Sequence, residues 1–398
     1  MKLTNKINLI QKGKLWALPV FVATLLASCS MVNEDLQPCA PLGTFVDFIY
    51  DYNMDDIDKF DEHVGSVYLY VFDSDGYFYL REEKHKYFFK PKEDFTMYFP
   101  PEVLKPGETY YFAAVAQGSG TGADPTEDYK WFSLDHELVK GKDRIQDYVL
   151  RLYRDPNNDG FAEVGIVNYK DQYGRLQQMI DTLWTTRPDC VQEVPIKNNK
   201  VPVTASPEEY THVRVPMMRI TNAITVNVLK NGFDANTNVD DYHVVIHFPK
   251  GNGTIDLTGS TLHAQELFYQ SLIKNMSPYT PKNYTTRASS GELEPDQPAD
   301  TYCMKSLFGV SRLQLGDESS LQLRDATKEG NPIIYEIKNF SEKLAQMCND
   351  SQFENDEFLD REYDFTVDIS LKDDGKPEWI GYSISILGWG RREFFYDL

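Results

Sequence analysis

Period-two alternation dominates the chain. In Ser66–Phe72, Val67, Leu69 and Val71 fall on one face and Tyr68, Tyr70 and Phe72 on the other, the spacing a β-strand gives to successive side chains. Asp73-Ser74-Asp75-Gly76 then reads as a turn, because Gly tolerates positive φ and Asp bonds nearby backbone N–H groups. Tyr77–Leu80 is the expected return strand. Phe95–Phe99, Thr109–Ala116 and Tyr148–Tyr153 read as further strands, separated at short intervals by Pro, Gly and Asp, as in a β-sandwich. Near the C-terminus, Phe365, Val367, Ile369 and Leu371 alternate with Thr366, Asp368 and Ser370. After an Asp373-Asp374-Gly375 turn, Ile380, Tyr382, Ile384 and Ile386 alternate with Gly381, Ser383 and Ser385. One segment, 334–349, has helical spacing instead, through Ile337, Phe340, Leu344 and Met347. It is expected to cover a sheet face or cross between strands.

Residues 191–216 carry Pro195, Pro202, Pro207 and Pro216 and little periodicity, which places a domain boundary near 200. The expected organisation is a leader at 1–28, an N-terminal β-sandwich domain at 29–195 and a C-terminal one at 196–398 that holds the helix. Lys274–Tyr302 is rich in Ser, Thr, Pro and acids, and is longer than ordinary connections. It reads as a mobile insertion or a contact surface.

The leader has the form of a bacterial lipoprotein signal. Residues 1–14 are basic, and Leu15–Leu26 is an apolar run of signal-peptide length, too short to span a bilayer. Leu26-Ala27-Ser28-Cys29 follows and resembles a lipobox, which makes Cys29 the candidate lipidation residue. An ordinary secretory signal followed by a chance Cys is the alternative. Several acyl chains, at ~0.8 kcal/mol per buried methylene, hold a protein on a membrane without a spanning helix. Ser30, rather than Asp, follows the Cys, and by resemblance to other lipoproteins this favours the outer membrane. Cys39, Cys190, Cys303 and Cys348 remain in a disulfide-permissive compartment. One pairing is Cys39–Cys190 with Cys303–Cys348; four buried free thiols are the other reading.

Composition narrows the partners. Forty basic residues against 61 acidic ones give a net charge of −21. The leader holds Lys2, Lys6, Lys12, Lys14 and no acid, so its removal leaves 36 − 61 = −25. A body this acidic repels nucleic acid and anionic lipid. Its 25 Tyr and 23 Phe favour strands.

No catalytic or cofactor site emerges. His243 and His247 stand i,i+4, about 13 Å apart along a strand and too far to share an ion. Asp155–Gly160 imitates the start of a calcium loop, but Ile166 occupies the twelfth place, where the bidentate Glu belongs. Gly118–Gly122 lacks the lysine of a phosphate loop. There is no GxSxG motif, no zinc spacing, and no carboxylate pair that stands out among the many acids. Catalytic residues, metal ligands and cofactors are therefore expected to be absent.

Two blocks are familiar. Phe45–Met54 with Val67–Gly76, and Glu357–Glu362 with the strand from Tyr363 and Ile386-Leu387-Gly388-Trp389, resemble the opening and the closing strands of the FimB/Mfa-type fimbrial anchor family of Bacteroidales. Leu387 stands where that family places Asn. The resemblance implies an all-β chain of two tandem transthyretin-like β-sandwich domains. It also implies an outer-membrane lipoprotein without catalysis, acting at the base of a pilus or as a minor subunit. Its partners would be other fimbrial subunits, met through donor strands that add to open sheet edges, and the outer membrane. In related polymerising pilins an arginine-specific protease removes the first strand together with its lipid. Here the first basic residue after Cys29 is Lys59 and the first Arg is Arg81, so the first strand is expected to stay. An outer-membrane adhesin or glycan-binding module is the alternative, and a secreted hydrolase a more distant third.

Overall fold

The computed structural model describes residues 43–91, 93–118, 132–134, 136–152, 165–167, 182–191, 193–195, 211–256, 259–262, 266–271, 273–279, 302–346, 353–371, 381–386 and 390–395. By contact density these fall into a small unit (43–45, 98–107 and 211–212) and a large one holding the rest. In the small unit the chain turns at Pro100, whose carbonyl accepts from Val103 N–H at 2.9 Å, and buries Leu104.

The chain is all-β. Its first strands are β1 (Thr44–Ile49), β2 (Val64–Asp73), β3 (Phe78–His85), β4 (Met97–Phe99), β5 (Thr109–Gly118), β6 (Phe132–Leu134) and β7 (Val149–Leu152). Next come β8 (Gly165–Val167), β9 (Leu183–Thr186), β10 (Glu193–Pro195), β11 (Thr211–Arg219), β12 (Thr221–Lys230), β13 (Tyr242–Phe248), β14 (Thr254–Asp256) and β15 (Leu267–Gln270). The last are β16 (Ile273–Pro278), β17 (Tyr302–Ser311), β18 (Ser320–Asp325), β19 (Ile333–Lys338), β20 (Asp364–Leu371), β21 (Gly381–Ile386) and β22 (Gly390–Phe395). One sheet runs β3-β2-β5-β9-β11-β1-β4, with β10 also on β5. A six-stranded sheet runs β16-β17-β12-β20-β21-β22, a five-stranded one β19-β18-β13-β15-β8, and a three-stranded one β14-β7-β6.

The period-two segments form the expected strands. β2 and β3 pair antiparallel with Val71 opposite Leu80. The turn between them closes through a 2.8 Å bond from Gly76 N–H to the Asp73 carbonyl, with Gly76 at φ +79°. The Asp73 carboxylate accepts from Asp75 and Tyr77 N–H at 3.0 and 2.9 Å, as an Asx turn requires. β20 lies between β12, its parallel neighbour, and β21, its antiparallel one, so that Val367 faces both Val226 and Ile384.

Strands from either side of residue 196 share sheets. β8 pairs β15 in parallel, β14 pairs β7, and β11 sits beside β9. The chain passes from the first sheet to the six-stranded one at Ile220, between β11 and β12, with no glycine or proline to mark the change. Ile220 is fully buried and donates its N–H to the Leu183 carbonyl at 2.9 Å. One hydrophobic core gathers Tyr70, Phe72, Tyr148 and Leu150 with Val226, Val228, Val244, Ile246, Leu321 and Leu323.

Two expectations are corrected. Over the described part of 334–349 the helical reading holds for α2 (Phe340–Ala345), and 347–349 lie outside the described residues; α1 is Phe60–His63 and α3 is Asn355–Arg361. Ile333–Lys338 is a strand, because its β-branched and aromatic residues pair with β18, Ile337 opposite Leu321 and Tyr335 opposite Leu323. Asn339, at φ +50°, separates strand from helix, and Phe340 and Leu344 then bury the apolar stripe. The block Glu357–Glu362, read as part of the closing strands, lies largely on α3, which buries Phe358 and Leu359. Within Lys274–Tyr302, residues through Pro278 belong to β16, and 280–301 lie outside the described residues.

Candidate functional site: the first strand and its clamp

β1 alternates buried and half-buried residues, with Val46 and Phe48 turned inward. Thr96 Oγ1 lies 2.7 Å from an Asp47 carboxylate oxygen. The segment after β1 is folded back on itself by its own polar side chains. Asp58 accepts from the N–H groups of Tyr50 and Phe60 at 2.9 and 3.0 Å. Asn53, 2% exposed, donates to the carbonyls of Tyr50 and Ile57 and accepts from Asp55 N–H. Lys59 pairs with Asp55.

Arg361 of α3 fastens this segment from 308 residues away. Its Nη1 donates to the Asn53 carbonyl at 2.8 Å and to Asp56 at 2.5 Å, and its Nε donates to Glu357 at 2.8 Å. The guanidinium lies over the rings of Tyr52 (4.3 Å) and Phe353 (4.2 Å), and Arg187 lies over Tyr52 at 4.5 Å. A planar fork can hold hydrogen bonds and stack on rings at the same time, which lysine cannot.

Beneath the clamp, Tyr50 is fully buried and meets Trp184 edge-on at 5.8 Å. The Arg219 guanidinium lies over Tyr363 at 4.0 Å and Trp184 at 5.8 Å, and its Nε donates to the Thr221 carbonyl. Burial pushes the Tyr50 hydroxyl well above its ordinary range, opposed by Arg219. Glu362 is 7% exposed. Burial raises its carboxyl to about 7, against the opposing N–H groups of Asp364 and Tyr363 and the charge of Arg219.

Arg81, the first arginine after Cys29, stands in the middle of β3 opposite Tyr70. Its Nη2 donates to Glu83 at 2.6 Å, and its guanidinium lies over Tyr68 at 4.9 Å. Cys29, Cys39, Cys348, Asp155–Gly160 and residues 119–122 lie outside the described residues; Ile166 is on β8. Among the described residues Cys190 and Cys303 form no disulfide, and Cys303 is buried. His243 and His247 both lie on β13, but His247 is taken up by Glu266 at 2.5 Å and stacks on Phe268 at 4.3 Å. Among the described residues no His, Cys, Asp and Glu gather as a metal site. A polar cleft of about 390 Å³ includes Arg312, Gln314, Asp356 and Asp360 in its walls. Its guanidinium is already bound by both Asp360 oxygens at 2.7 Å and by the Gly259 carbonyl.

The described residues form an all-β fold whose first strand is buried and is followed by a segment held by Asp58, Asn53 and Arg361. A family model for the fimbrillin-A associated anchor proteins Mfa1 and Mfa2 matches residues 36–393, and the chain belongs to that family. Membership makes it a fimbrial protein of a structural family, associated with other fimbrial components at the cell surface. A Bacteroides thetaiotaomicron structure described as a candidate polysaccharide-binding protein is similar at 20% identity and TM-score 0.60, covering 90% of this chain and 98% of the other. A candidate adhesin from the same organism is similar at 20% identity and TM-score 0.59, covering 89% and 98%. The fimbrial anchor protein Mfa2 of Porphyromonas gingivalis is similar at 17% identity and TM-score 0.51, covering 88% and 98%. The comparison with curated proteins returned no match.

Proposed function

We propose that this chain is an outer-membrane lipoprotein, acylated at Cys29, that keeps its first strand and anchors or terminates a fimbrium through strand-mediated contacts with other subunits. The clamp on the segment directly after β1 carries this reading. A polymerising subunit has to give up its first strand to open a groove, whereas here the strand is followed by a segment held by Asp58, Asn53 and Arg361. Arginine-specific cleavage has no substrate before Arg81, and a cut there would sever the β2–β3 hairpin. With its own strand in place, the N-terminal groove stays filled. Growth of the polymer then stops at this subunit, and the lipid holds it to the membrane. No catalytic residue, metal or cofactor takes part.

The second reading, an outer-membrane adhesin or glycan-binding module, is favoured by the descriptions of the two Bacteroides thetaiotaomicron neighbours. It keeps the lipid and adds a ligand at an exposed surface.

Cys29→Ala tests the attachment. Palmitate labelling should be abolished and the protein should leave the outer-membrane fraction; persistent labelling of the variant would contradict acylation at this residue.

A further inference from the structure

The 3₁₀ turn Lys86–Phe88 follows β3 directly. Tyr87 is 78% exposed and Phe88 62%, two adjacent rings at one tip rather than scattered surface apolars. Lys86 and Lys90 flank them, both exposed. Residues 84–92 contain four lysines and no acid, in a chain of net charge −21. The nearest acids along the chain, Glu83 and Glu93, are engaged: Glu83 with Arg81, and Glu93 with Lys90 N–H at 2.8 Å.

The tip is rigidly mounted. Phe89 packs on Phe95 at 4.8 Å, Phe95 on Phe60 at 5.3 Å, and Phe60 stacks on Phe48 of β1 at 5.3 Å. Lys84 donates to the Thr96 carbonyl at 2.9 Å, and Lys86 to that of Asp61. Exposed rings on an ordered stem beside the exposed Lys86 and Lys90 match the interfacial zone of a bilayer.

We infer that the Lys86–Phe88 turn is a membrane-contact tip that seats its two rings in the interfacial layer of an anionic lipid surface. Asp61, with Asp94 near it, lies within the field of Lys86 and offsets part of its charge, whereas acids of the body beyond a Debye length of about 8 Å are screened. A glycan is the poorer occupant, since Tyr87 and Phe88 stand at 88° to each other and form a wedge, not a flat platform. The inference rests on the reading that the chain is held at a membrane. The tether permits it: 14 residues, 30–43, separate Cys29 from β1, and the 44 − 29 = 15 steps between them reach roughly 50 Å when extended.

The test uses the full chain with Cys29→Ala and an N-terminal hexahistidine tag on nickel-chelating lipid, so that its outcome does not depend on acylation. The photoreactive residue benzoyl-phenylalanine replaces Phe88, or Ile333 as a control of 45% exposure. The vesicles are phosphatidylcholine with or without about one third phosphatidylglycerol. Position 88 should give several-fold more lipid adduct than position 333 on anionic vesicles. Lys86→Glu with Lys90→Glu should lower that yield by about five-fold per lysine and leave zwitterionic vesicles little affected. Equal lipid yields at the two positions, or chain-to-chain adducts dominating at 88, would overturn the inference. An effect of the charge reversals that is the same on both vesicle types would overturn its anionic part.

Discussion

Arg361→Ala should destabilise the folded chain by about 3 kcal/mol. Removing one partner of a buried charge network costs roughly 3–5 kcal/mol. Here the loss falls at the low end, because Asp56 and Glu357 are 52% and 35% exposed and regain water, while Arg361 is 11% exposed. The variant also loses stacking over Tyr52 and Phe353 and leaves the Asn53 carbonyl without its Arg361 donor. Arg361→Lys should recover less than half of the loss, since an ammonium cannot bridge Asp56, Glu357 and Asn53 while lying flat on two rings. Urea denaturation at pH 7 measures the total. Amide exchange over 50–59 locates it, with faster exchange there than in β20. A loss below about 0.5 kcal/mol, in the range of surface ion pairs, would mean that the clamp does not hold the segment after β1.

Glu362→Gln should stabilise the protein in alkaline solution. The carboxyl of Glu362 is raised from 4.5 to about 7 on folding, so between these values the folded state binds more protons than the unfolded one. Its contribution is fully favourable below about 4.5 and is lost as pH rises through 7. A shift of this size corresponds to about 3 kcal/mol. Gln keeps an acceptor for the N–H groups of Tyr363 and Asp364, which Glu362 Oε1 accepts at 2.9 and 3.1 Å, without a charge to desolvate. The stability difference between variant and wild type should be near zero at pH 4 and open to about 3 kcal/mol by pH 8. His63 and His243, whose ring pKa values burial lowers, give the opposite slope, but they do so in both proteins and cancel in the difference. A difference that is flat with pH would show that Glu362 is ionised at little cost.

What could be read from the sequence was whatever is local. The alternation in Ser66–Phe72 and Phe365–Leu371 and the Asp73–Gly76 turn are properties of neighbouring residues, and the structure forms them as expected. The 333–338 segment misled because Ile337 satisfies a helical spacing with Phe340 while serving as the strand partner of Leu321. The passage between sheets at Ile220 left no mark, since an apolar residue between two strands carries no turn chemistry. The clamp was invisible for a different reason. An arginine on a helix has no period or motif that tells it which carbonyl, hundreds of residues earlier, it will meet. The block Glu357–Glu362 resembles a strand region of the family, yet it folds largely as the helix that carries Arg361. The absence of arginine between Cys29 and Arg81 could be counted, but its weight comes from the structure, which places Arg81 inside a paired strand.

The central claim is that the first strand is never removed. Terminal mass spectrometry of the mature chain, isolated from outer membranes of cells that carry the arginine-specific protease, tests it most directly. The account predicts an acylated Cys29 at the N-terminus, with the peptide from Ser30 to Arg81 uninterrupted. A free N-terminus downstream of Asp51 would contradict it.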